Sequence, residues 1–385
     1  MKRNTIGLVG AFVLLASCQS VEHAAGASAA TRAIDFEHTL FLEDSAETTA
    51  NASIGDLDGD GDPDIVLAKG RHWPLHDLVL LNSGKGGFDE RYPLNTAADR
   101  SYTAALADLD GDRDLDLVVG NDKPDEKRIY FNDGRGRFRL AGTFGNAGWS
   151  TRNISVADLN GDARPDIIVA NRGGPENRSQ NHVCLNDGGG RFPDCTVLSG
   201  ESATTIAAAD FDGNGTIDLI VPHRDGGQSY IFPNDGKGQF KTKRPIGPPD
   251  AATRAVAAAD LDGNGSTDLI LGDAARGGVR IHLNQGQGTF ADPIAVGDEQ
   301  DSVYSIATAD LNGDGKTDVV LGNERTPGVA LINRGDGRSF ESIRFGDGEG
   351  AVYGLAIGDV TGDGCPDIVA ARSEARSALY RNSCR

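Results

Sequence analysis

The chain has 385 residues, including 52 glycines and a single methionine, and only 6% of its residues are aromatic. This composition favours short strands joined by tight turns over helices. The formal net charge of −20 argues against nucleic-acid binding, for which a basic face is expected.

Residues 1–17 have the features of a bacterial export signal of the lipoprotein type. Two basic residues precede an apolar run, residues 6–16, that is too short to span a membrane as a stable helix. The segment Leu15-Ala16-Ser17-Cys18 resembles the lipobox of bacterial lipoproteins, in which the signal is cut before a cysteine that becomes acylated. An ordinary cleaved signal with a chance cysteine is the alternative. We predict that Cys18 carries the lipid that holds the protein to a membrane.

Residues 18–33 are mostly small and polar, which predicts a flexible tether between the anchor and a folded domain over residues 34–385. Gln19 follows the cysteine, in place of the aspartate that commonly retains lipoproteins at the inner membrane. The sequence therefore predicts a lipid-anchored protein of the bacterial cell envelope, placed at the outer membrane.

Seven acidic loops recur through the domain. The first, residues 56–64, reads DLDGDGDPD, and the first aspartates of successive loops are 52, 50, 52, 50, 50 and 49 residues apart. A fixed period near fifty is typical of a repeat architecture. Alternating oxygen donors suit Ca²⁺, which takes about six to eight oxygen ligands. The loops hold 25 of the 57 acidic residues, so seven bound Ca²⁺ ions would reduce the net charge to about −6.

Each repeat is predicted to contain four strands. Small residues precede each loop, as in Thr103–Ala107, and a continuous apolar run follows it, as in Leu117–Val119. A hairpin turn rich in Asn, Asp and Gly, such as the one that begins at Asn132, then separates the third and fourth strands. Seven such units predict an all-β fold, a seven-bladed β-propeller of four-stranded antiparallel blades. The last repeat lacks a fourth strand, and residues 34–41 resemble the missing one, so the N-terminal strand is predicted to close the ring.

At these loops the chain resembles the FG-GAP/VCBS family of calcium-binding propellers, which includes the integrin α-chain head. An EF-hand does not fit, because loop position 12 is an apolar strand residue such as Leu67 and not a bidentate glutamate. The resemblance covers residues 34–385 and implies up to seven structural Ca²⁺ ions. It implies side-chain ligands at loop positions 1, 3, 5 and 9 and a carbonyl ligand at position 7.

These five positions can be read directly from the seven loops. They are Asp56, Asp58, Asp60, Asp62 and Asp64; Asp108, Asp110, Asp112, Asp114 and Asp116; Asp158, Asn160, Asp162, Arg164 and Asp166; Asp210, Asp212, Asn214, Thr216 and Asp218; Asp260, Asp262, Asn264, Ser266 and Asp268; Asp310, Asn312, Asp314, Lys316 and Asp318; and Asp359, Thr361, Asp363, Cys365 and Asp367. At position 6, Arg113 and Ala163 replace glycine, which predicts backbone strain. Thr361 is a neutral ligand and predicts the weakest site.

Four cysteines remain after Cys18, an even number in an exported chain, which favours disulfides. Cys184 and Cys195 flank a hairpin turn, and Cys365 and Cys384 would join the last loop to the C-terminus. Free buried thiols are the alternative for both pairs.

The connectors at the face opposite the loops are rich in arginine, tyrosine and histidine, which suit stacking on sugars and bidentate pairing to carboxylate or sulfate. Pairing of each arginine with the acidic surface is the alternative. His72, Trp73 and His76 lie on one of these connectors. The predicted ligand face comprises Arg100, Tyr102, Trp149, Arg152, Arg172, His182, His223, Arg224, Arg254, Tyr304, Arg325, Tyr353 and Arg372.

No serine-hydrolase elbow, zinc-protease motif or phosphate-binding loop occurs in the sequence, and no catalytic residue is predicted from it. The leading hypothesis is a monomeric, non-enzymatic envelope module that adheres to an extracellular glycan or protein. The alternative is a polysaccharide lyase or another carbohydrate-active enzyme, in which a basic residue neutralises a uronic-acid carboxylate while His or Tyr takes the proton. A purely structural partner in an envelope complex is a third hypothesis.

Overall fold

The computed structural model describes residues 33–384, except residues 37, 96, 174–179 and 275. The predicted signal peptide, Cys18 and the tether up to residue 32 lie outside the described residues. Across this described part, the chain is all-β and has no helix. It therefore includes no helix long and apolar enough to cross a membrane.

The strands form repeated antiparallel sheets. Five sheets contain four strands each, hydrogen-bonded in chain order. They comprise β6 (Ser101–Ala107), β7 (Asp116–Asn121), β8 (Lys127–Asn132) and β9 (Phe138–Phe144); β10 (Thr151–Ala157), β11 (Asp166–Asn171), β12 (Asn181–Cys184) and β13 (Cys195–Ser199); β14 (Ala207–Ala209), β15 (Asp218–Val221), β16 (Gly227–Phe232) and β17 (Arg244–Ala251); β18 (Thr253–Ala259), β19 (Asp268–Asp273), β20 (Val279–His282) and β21 (Ile294–Val296); and β22 (Val303–Ala309), β23 (Asp318–Asn323), β24 (Gly328–Asn333) and β25 (Phe340–Phe345).

The remaining eight strands form one larger sheet. They are β1 (His38–Phe41), β2 (Glu47–Gly55), β3 (Asp64–Lys69), β4 (Leu78–Leu81), β5 (Glu90–Pro93), β26 (Ala351–Gly358), β27 (Asp367–Ala375) and β28 (Ala378–Arg381). Strands β2 to β5 pair in chain order, and β26, β27, β28 and β1 pair in that order. A short pairing of β2 with β27, at Glu47↔Ala375 and Thr48↔Ser373, joins the two groups. Repeated four-stranded antiparallel units of this kind are those of a β-propeller.

The second strand of a repeat lies at the centre of the packing, as its continuous apolar sequence predicts. All six residues of β3, β7 and β11 are buried, which is expected for strands covered on both faces. The apolar core is divided into clusters that each join two successive repeats. In one of them, Val66 and Val79 of one repeat pack with Leu117 and Tyr130 of the next.

A hairpin asparagine also ties each repeat to the preceding one. Asn132 Nδ2 donates to the carbonyl of Leu57, in the preceding acidic loop, at 2.7 Å, and to the carbonyl of Leu115 in its own repeat at 3.2 Å. The same two kinds of bond recur at Asn186, Asn234, Asn284, Asn333 and Asn382. At the first repeat, Asn82 Nδ2 donates to the carbonyl of Val360, in the last acidic loop, at 2.9 Å.

The two ends of the described chain meet in one place. Strand β1 pairs with β28 from His38↔Arg381 to Phe41↔Ala378, so the N-terminal segment does supply a fourth strand to the last repeat. Phe36, just before that strand, packs on Phe345 with ring centroids 5.5 Å apart. A core cluster that includes Leu42 and Leu379 spans the first and last repeats.

Both disulfides expected from the sequence are present. Cys184 and Cys195 are directly opposed on β12 and β13, with Cα atoms 4.1 Å apart. Cys365 in the last loop is bonded to Cys384, with Cα atoms 5.7 Å apart, which fixes the C-terminal residues to that loop.

Candidate functional site

Each acidic loop is organised by the carboxylate at its first position. In the first loop, Asp56 Oδ1 accepts from the backbone N–H of Gly59 at 2.8 Å, and Oδ2 accepts from that of Gly61 at 3.1 Å. Position 6 has a positive φ, which glycine adopts without strain. Arg113 and Ala163 occupy this position with φ of 81° and 65°, so the predicted strain is located there.

The carboxylate at position 9 is buried and joins the loop to the hairpin beside it. Asp64 accepts one backbone hydrogen bond from Leu57 and one from Asn82, both at 2.7 Å. Burial raises the pKa of this carboxyl to about 6, and repulsion from neighbouring aspartates adds to the shift. The same two causes raise the pKa of Asp116 to about 7.

Carboxylate oxygens converge in four of the loops, at positions 1, 3 and 9. In each of these four groups one oxygen per residue lies within 4.8 Å of the others. The groups are Asp56, Asp58 and Asp64; Asp108, Asp110 and Asp116; Asp210, Asp212 and Asp218; and Asp260, Asp262 and Asp268. Three mutually repelling oxygens, one of them buried, fit a hard divalent cation such as Ca²⁺. These residues could hold the metal that the family resemblance implies.

The third and sixth loops differ, because each contains its own cation. Arg164 pairs with Asp162 at 2.5 Å, and Lys316 pairs with Asp314 at 3.3 Å, so in both loops a position-7 side chain neutralises the position-5 carboxylate. Position 3 of both loops is asparagine, and in the last loop it is Thr361. The third and sixth loops therefore offer fewer uncompensated carboxylates than the other five, and the last loop has three but none at position 3.

The first strands of the seven repeats, which we call the inner strands, are β2, β6, β10, β14, β18, β22 and β26. A second group of candidate site residues lies at the end of these strands that is opposite to the acidic loops. In six of the seven inner strands the register shifts by one residue near the start of the strand, a β-bulge that redirects a side chain. The bulged residue lies six positions before the first aspartate of its loop, and the same position in the fourth repeat is Thr204. Together these residues line one cavity: Ala50, Tyr102, Arg152, Thr204, Arg254, Tyr304 and Tyr353.

We call this cavity the axial pocket, because every repeat contributes a residue to its lining. It has a volume of about 180 Å³. The connectors that follow the second strands add Arg71, His72, Arg172 and Arg224 to the lining. Five arginines therefore converge on the pocket, and among the described residues its lining contains no aspartate or glutamate.

The tyrosine rings of the pocket hold arginines in place. The guanidinium carbon of Arg71 lies 3.7 Å from the ring centroid of Tyr353, and that of Arg254 lies 4.3 Å from the ring centroid of Tyr304. Arg152 lies over the Tyr102 ring at 4.3 Å and pairs with Asp122 at 2.8 Å. Sequence reasoning assigned the aromatic faces to sugar stacking. In the structure each ring has a guanidinium on one face, a cation–π contact that orients the charge.

Three of the five pocket arginines, Arg71, Arg224 and Arg254, differ from Arg152 and Arg172. None of these three has a carboxylate within 4.0 Å among the described residues, whereas Arg152 pairs with Asp122 and Arg172 with Asp225. Burial, with repulsion from Arg254 and Arg172, lowers the pKa of Arg224 to about 10. A bound anion would relieve this repulsion.

Tyr102, His72 and Asp122 form a hydrogen-bonded chain at one side of the pocket. The Tyr102 hydroxyl lies 3.0 Å from Nε2 of His72, and Nδ1 of His72 lies 3.4 Å from Oδ2 of Asp122. Burial, together with the charges of Arg152 and Arg71, lowers the pKa of His72, and burial raises the pKa of Tyr102. At neutral pH His72 is therefore an uncharged acceptor and Tyr102 a protonated donor.

Several residues of the predicted ligand face lie outside the axial pocket. Arg100 pairs with Asp125 at 3.0 Å, and Arg372 is buried and pairs with Asp347 at 2.9 Å. Arg325 is exposed at the surface, 3.9 Å from Glu374.

Some aromatic and histidine residues of the predicted ligand face also lie outside the axial pocket. Trp149 stacks on His182 with ring centroids 3.9 Å apart, and both contribute to packing. His223 accepts the backbone N–H of Asp225 at 3.3 Å and is not part of the lining. Sequence reasoning missed Arg71 and left His72 out of the ligand face.

The fold and its loops define an all-β protein built from propeller-type repeats. The model of the FG-GAP-like repeat matches residues 56–119, 108–169, 158–221, 210–271, 260–321 and 310–370. The chain belongs to the FG-GAP repeat family, as the sequence predicted. A sequence comparison with curated proteins returned no match.

Solved structures share this fold at low sequence identity. The BP39L lectin from Burkholderia pseudomallei is 15% identical, with a TM-score of 0.65 over 87% of this chain and 96% of that chain. An Agrocybe aegerita lectin that recognises non-reducing terminal N-acetylglucosamine is 22% identical, with a TM-score of 0.53 over 85% of each chain. BBS1N in complex with ARL6DN is 12% identical, with a TM-score of 0.62 over 92% of this chain and 98% of that chain. At these identities the similarity shows the fold alone.

Proposed function

We propose that this protein is a calcium-stabilised, seven-bladed propeller of the bacterial cell envelope that binds an acidic extracellular glycan in its axial pocket. The seven-blade count divides the eight-stranded sheet into two blades, β2 to β5 and β26 to β28 with β1. The hairpin asparagines favour this division, because the bond from Asn82 to Val360 repeats between the first and last repeats the contact made by the other six.

The arginines of the pocket carry the argument for an acidic ligand. Five guanidinium groups line one small cavity, and three of them have no acidic partner among the described residues. Charge-assisted hydrogen bonds from arginine to carboxylate or sulfate are roughly twice as strong as neutral ones. A neutral ligand would leave the repulsion among these groups unchanged.

A glycan is favoured over a protein ligand by the size and position of the pocket. The cavity of about 180 Å³ is a small concave site, which suits a short stretch of a glycan better than a folded protein surface. The two lectins with this fold are consistent with sugar binding, at the level of fold only. The predicted lipidation of Cys18 would present the domain, as a monomer, outside the cytoplasm.

The test compares one polymer in two charge states. We expect the protein to bind polygalacturonate in isothermal titration and to bind its methyl ester, which has lost the carboxylate charges, far more weakly. Arg224→Gln and Arg254→Gln should each weaken binding by about tenfold or more, as expected for one lost charge-assisted hydrogen bond. Arg325→Gln is the matched control and should bind like the wild type, because Arg325 lies outside the pocket.

Equal losses in Arg254→Gln and Arg325→Gln would contradict the assignment of the site. Equal affinity for the polymer and its methyl ester would contradict an acidic ligand. If a panel of carboxylated and sulfated glycans gave no binding at all, the glycan function itself would be wrong.

A further inference from the structure

We propose that Tyr102 and His72 form a proton-transfer pair that cleaves an acidic glycan by β-elimination in the axial pocket. This proposal rests on the binding function above and adds a reaction to it. The observation behind it is the 3.0 Å contact between the Tyr102 hydroxyl and His72 Nε2, inside a cavity lined by arginines.

The orientation of His72 is fixed from its other nitrogen. Nδ1 lies 3.4 Å from Asp122, whose second oxygen pairs with Arg152 at 2.8 Å. A carboxylate beside Nδ1 favours the tautomer with its proton there, which leaves the lone pair of Nε2 toward Tyr102. Asp122 is therefore a positioning residue, and Tyr102 donates its hydrogen bond to His72. This resembles the general arrangement in which a nucleophile or base is activated by an oriented histidine.

The side chains around Tyr102 and His72 favour β-elimination over hydrolysis. Most glycoside hydrolases use two carboxylic acids, one on each side of the bond that is cleaved. Among the described residues, the lining of the axial pocket offers no carboxylic acid, and its polar side chains are arginines, hydroxyls, two asparagine amides and one histidine. β-Elimination from a uronic acid does not need two carboxylic acids of the protein. It needs a cation that neutralises the carboxylate of the sugar and a base that removes the neighbouring proton, and the pocket contains groups of both kinds.

Arg71 is placed to supply that cation. Its guanidinium lies over the Tyr353 ring at 3.7 Å and also lies 5.9 Å from the ring centroid of Tyr102. It donates to Tyr353 and to the Ser373 hydroxyl, so it is held by neutral groups and keeps its charge available. A carboxylate bound to Arg71 would therefore lie beside the Tyr102 hydroxyl.

The step conserves atoms and electrons without any further reactant. The Tyr102 oxygen takes the proton from C5 of the uronic acid while the hydroxyl proton moves to Nε2 of His72. The C5–H electron pair forms the C4=C5 double bond, and the C4–O4 bond breaks with its pair on the leaving oxygen. The proton then returns from His72 through Tyr102 to O4. The products are a shortened chain and an unsaturated uronic acid.

The experiment uses the full-length chain in calcium-containing buffer, with polygalacturonate, alginate and chondroitin sulfate as probes. Elimination is followed by the ultraviolet absorbance of the new double bond, and binding of the same polymers is measured separately by titration. We expect product with at least one polymer that binds. Tyr102→Phe and His72→Asn should lower the rate by at least about 100-fold while binding changes little, because general acid–base catalysis contributes about that much. His76→Asn is the matched control on the same connector, outside the pocket, and should keep the wild-type rate.

The pH–rate profile of Asp122→Asn tests whether Asp122 acts through His72, because a purely structural role of Asp122 would not shift this profile. The Asp122 carboxylate raises the pKa of His72 against the lowering by burial and by the charges of Arg152 and Arg71, and Tyr102 is the fourth group that faces the ring. Loss of this charge should move the acidic limb of the pH–rate profile to lower pH.

The outcomes separate the two proposals. Binding without product for every polymer would overturn the reaction and leave the binding function standing. Absence of binding would contradict the binding function itself. New reducing ends without ultraviolet absorbance would mean hydrolysis and would overturn elimination. A loss in Tyr102→Phe no greater than in His76→Asn would also overturn the assignment of the pair.

Discussion

The contact between the first and last repeats can be tested by the substitution Asn82→Ala. Asn82 is 2% exposed, and its Nδ2 donates to the carbonyls of Pro63 at 3.0 Å and Val360 at 2.9 Å. Its Oδ1 accepts from the backbone N–H of Gly84 at 3.1 Å. Alanine removes all three bonds at once and leaves the hairpin backbone unchanged.

The magnitude follows from the groups that lose their partners. A buried polar group without its hydrogen bond costs about 1–3 kcal/mol. Two carbonyls lose a donor, and water can reach part of the edge of the hairpin, so we expect the free energy of unfolding to fall by about 2–4 kcal/mol. Asn82→Asp should cost more, because it adds a negative charge next to the buried carboxylate of Asp64, which accepts from the Asn82 backbone.

Equilibrium urea unfolding in saturating calcium measures this loss, with intrinsic fluorescence as the probe. The control is Ser83→Ala in the same hairpin, where an exposed hydroxyl bonds the carbonyl of Gly87 at 3.1 Å. It should cost less than about 0.5 kcal/mol. A loss of similar size in both variants would refute the view that the asparagine joins the first and last repeats.

Three further predictions concern calcium, pH and the chain ends. Chelation of calcium should lower the unfolding temperature, since each site contributes about 1.4 kcal/mol when calcium is tenfold above its dissociation constant. Asp210→Asn, in a three-carboxylate loop, should reduce this calcium-dependent shift more than Asp162→Asn, because Asp162 already pairs with Arg164; equal effects in calorimetry would count against it. Burial lowers the pKa of His282 to about 4, so the folded state keeps it neutral and stability should fall as the pH decreases from its unfolded value of about 6.5 toward 4. Urea unfolding at several pH values should show up to about 3 kcal/mol of this loss in the wild type and less in His282→Gln, and parallel curves would contradict the assignment. Deletion of residues 34–43 removes β1 and should sharply lower the unfolding temperature, whereas an unchanged melting curve would show that β1 contributes little.

The repeat and its strands could be predicted from sequence because both follow from local patterns. The aspartates mark the period, the apolar run after each loop predicts a buried strand, and the Asn-Gly turns predict hairpins. The same period also determines which residues line the axial pocket, since the bulged residue always lies six positions before the first aspartate of its loop. Tyr102, Arg152, Arg254, Tyr304 and Tyr353 were predicted for this face without that rule, from their residue types and their position on the connectors between blades.

What the sequence could not provide were contacts between distant repeats. Arg71 reaches Tyr353 across 282 positions, and no local pattern predicts which ring receives which guanidinium. Trp149 and His182 were predicted at the ligand face, yet they stack on each other, because their neighbours bring the two rings together within the packing. The pairing of Arg164 with Asp162 was not predicted either, although the sequence places a basic residue two positions after a ligand.

The residues at the two ends of the inner strands differ in how closely they repeat from one blade unit to the next. At one end the loops keep aspartate at positions 1 and 9 in every repeat, because the backbone of each loop is folded around those carboxylates. At the other end, six residues earlier, the residues change from repeat to repeat, so the pocket has no rotational symmetry although the scaffold does. Two of its unpaired arginines, Arg224 and Arg254, come from neighbouring repeats, while the third, Arg71, is next to His72 in the chain and lies near Tyr102. A pocket without rotational symmetry favours a single orientation of its ligand. Under the proposed function, the chain is therefore expected to bind one glycan chain in the axial pocket rather than one per blade.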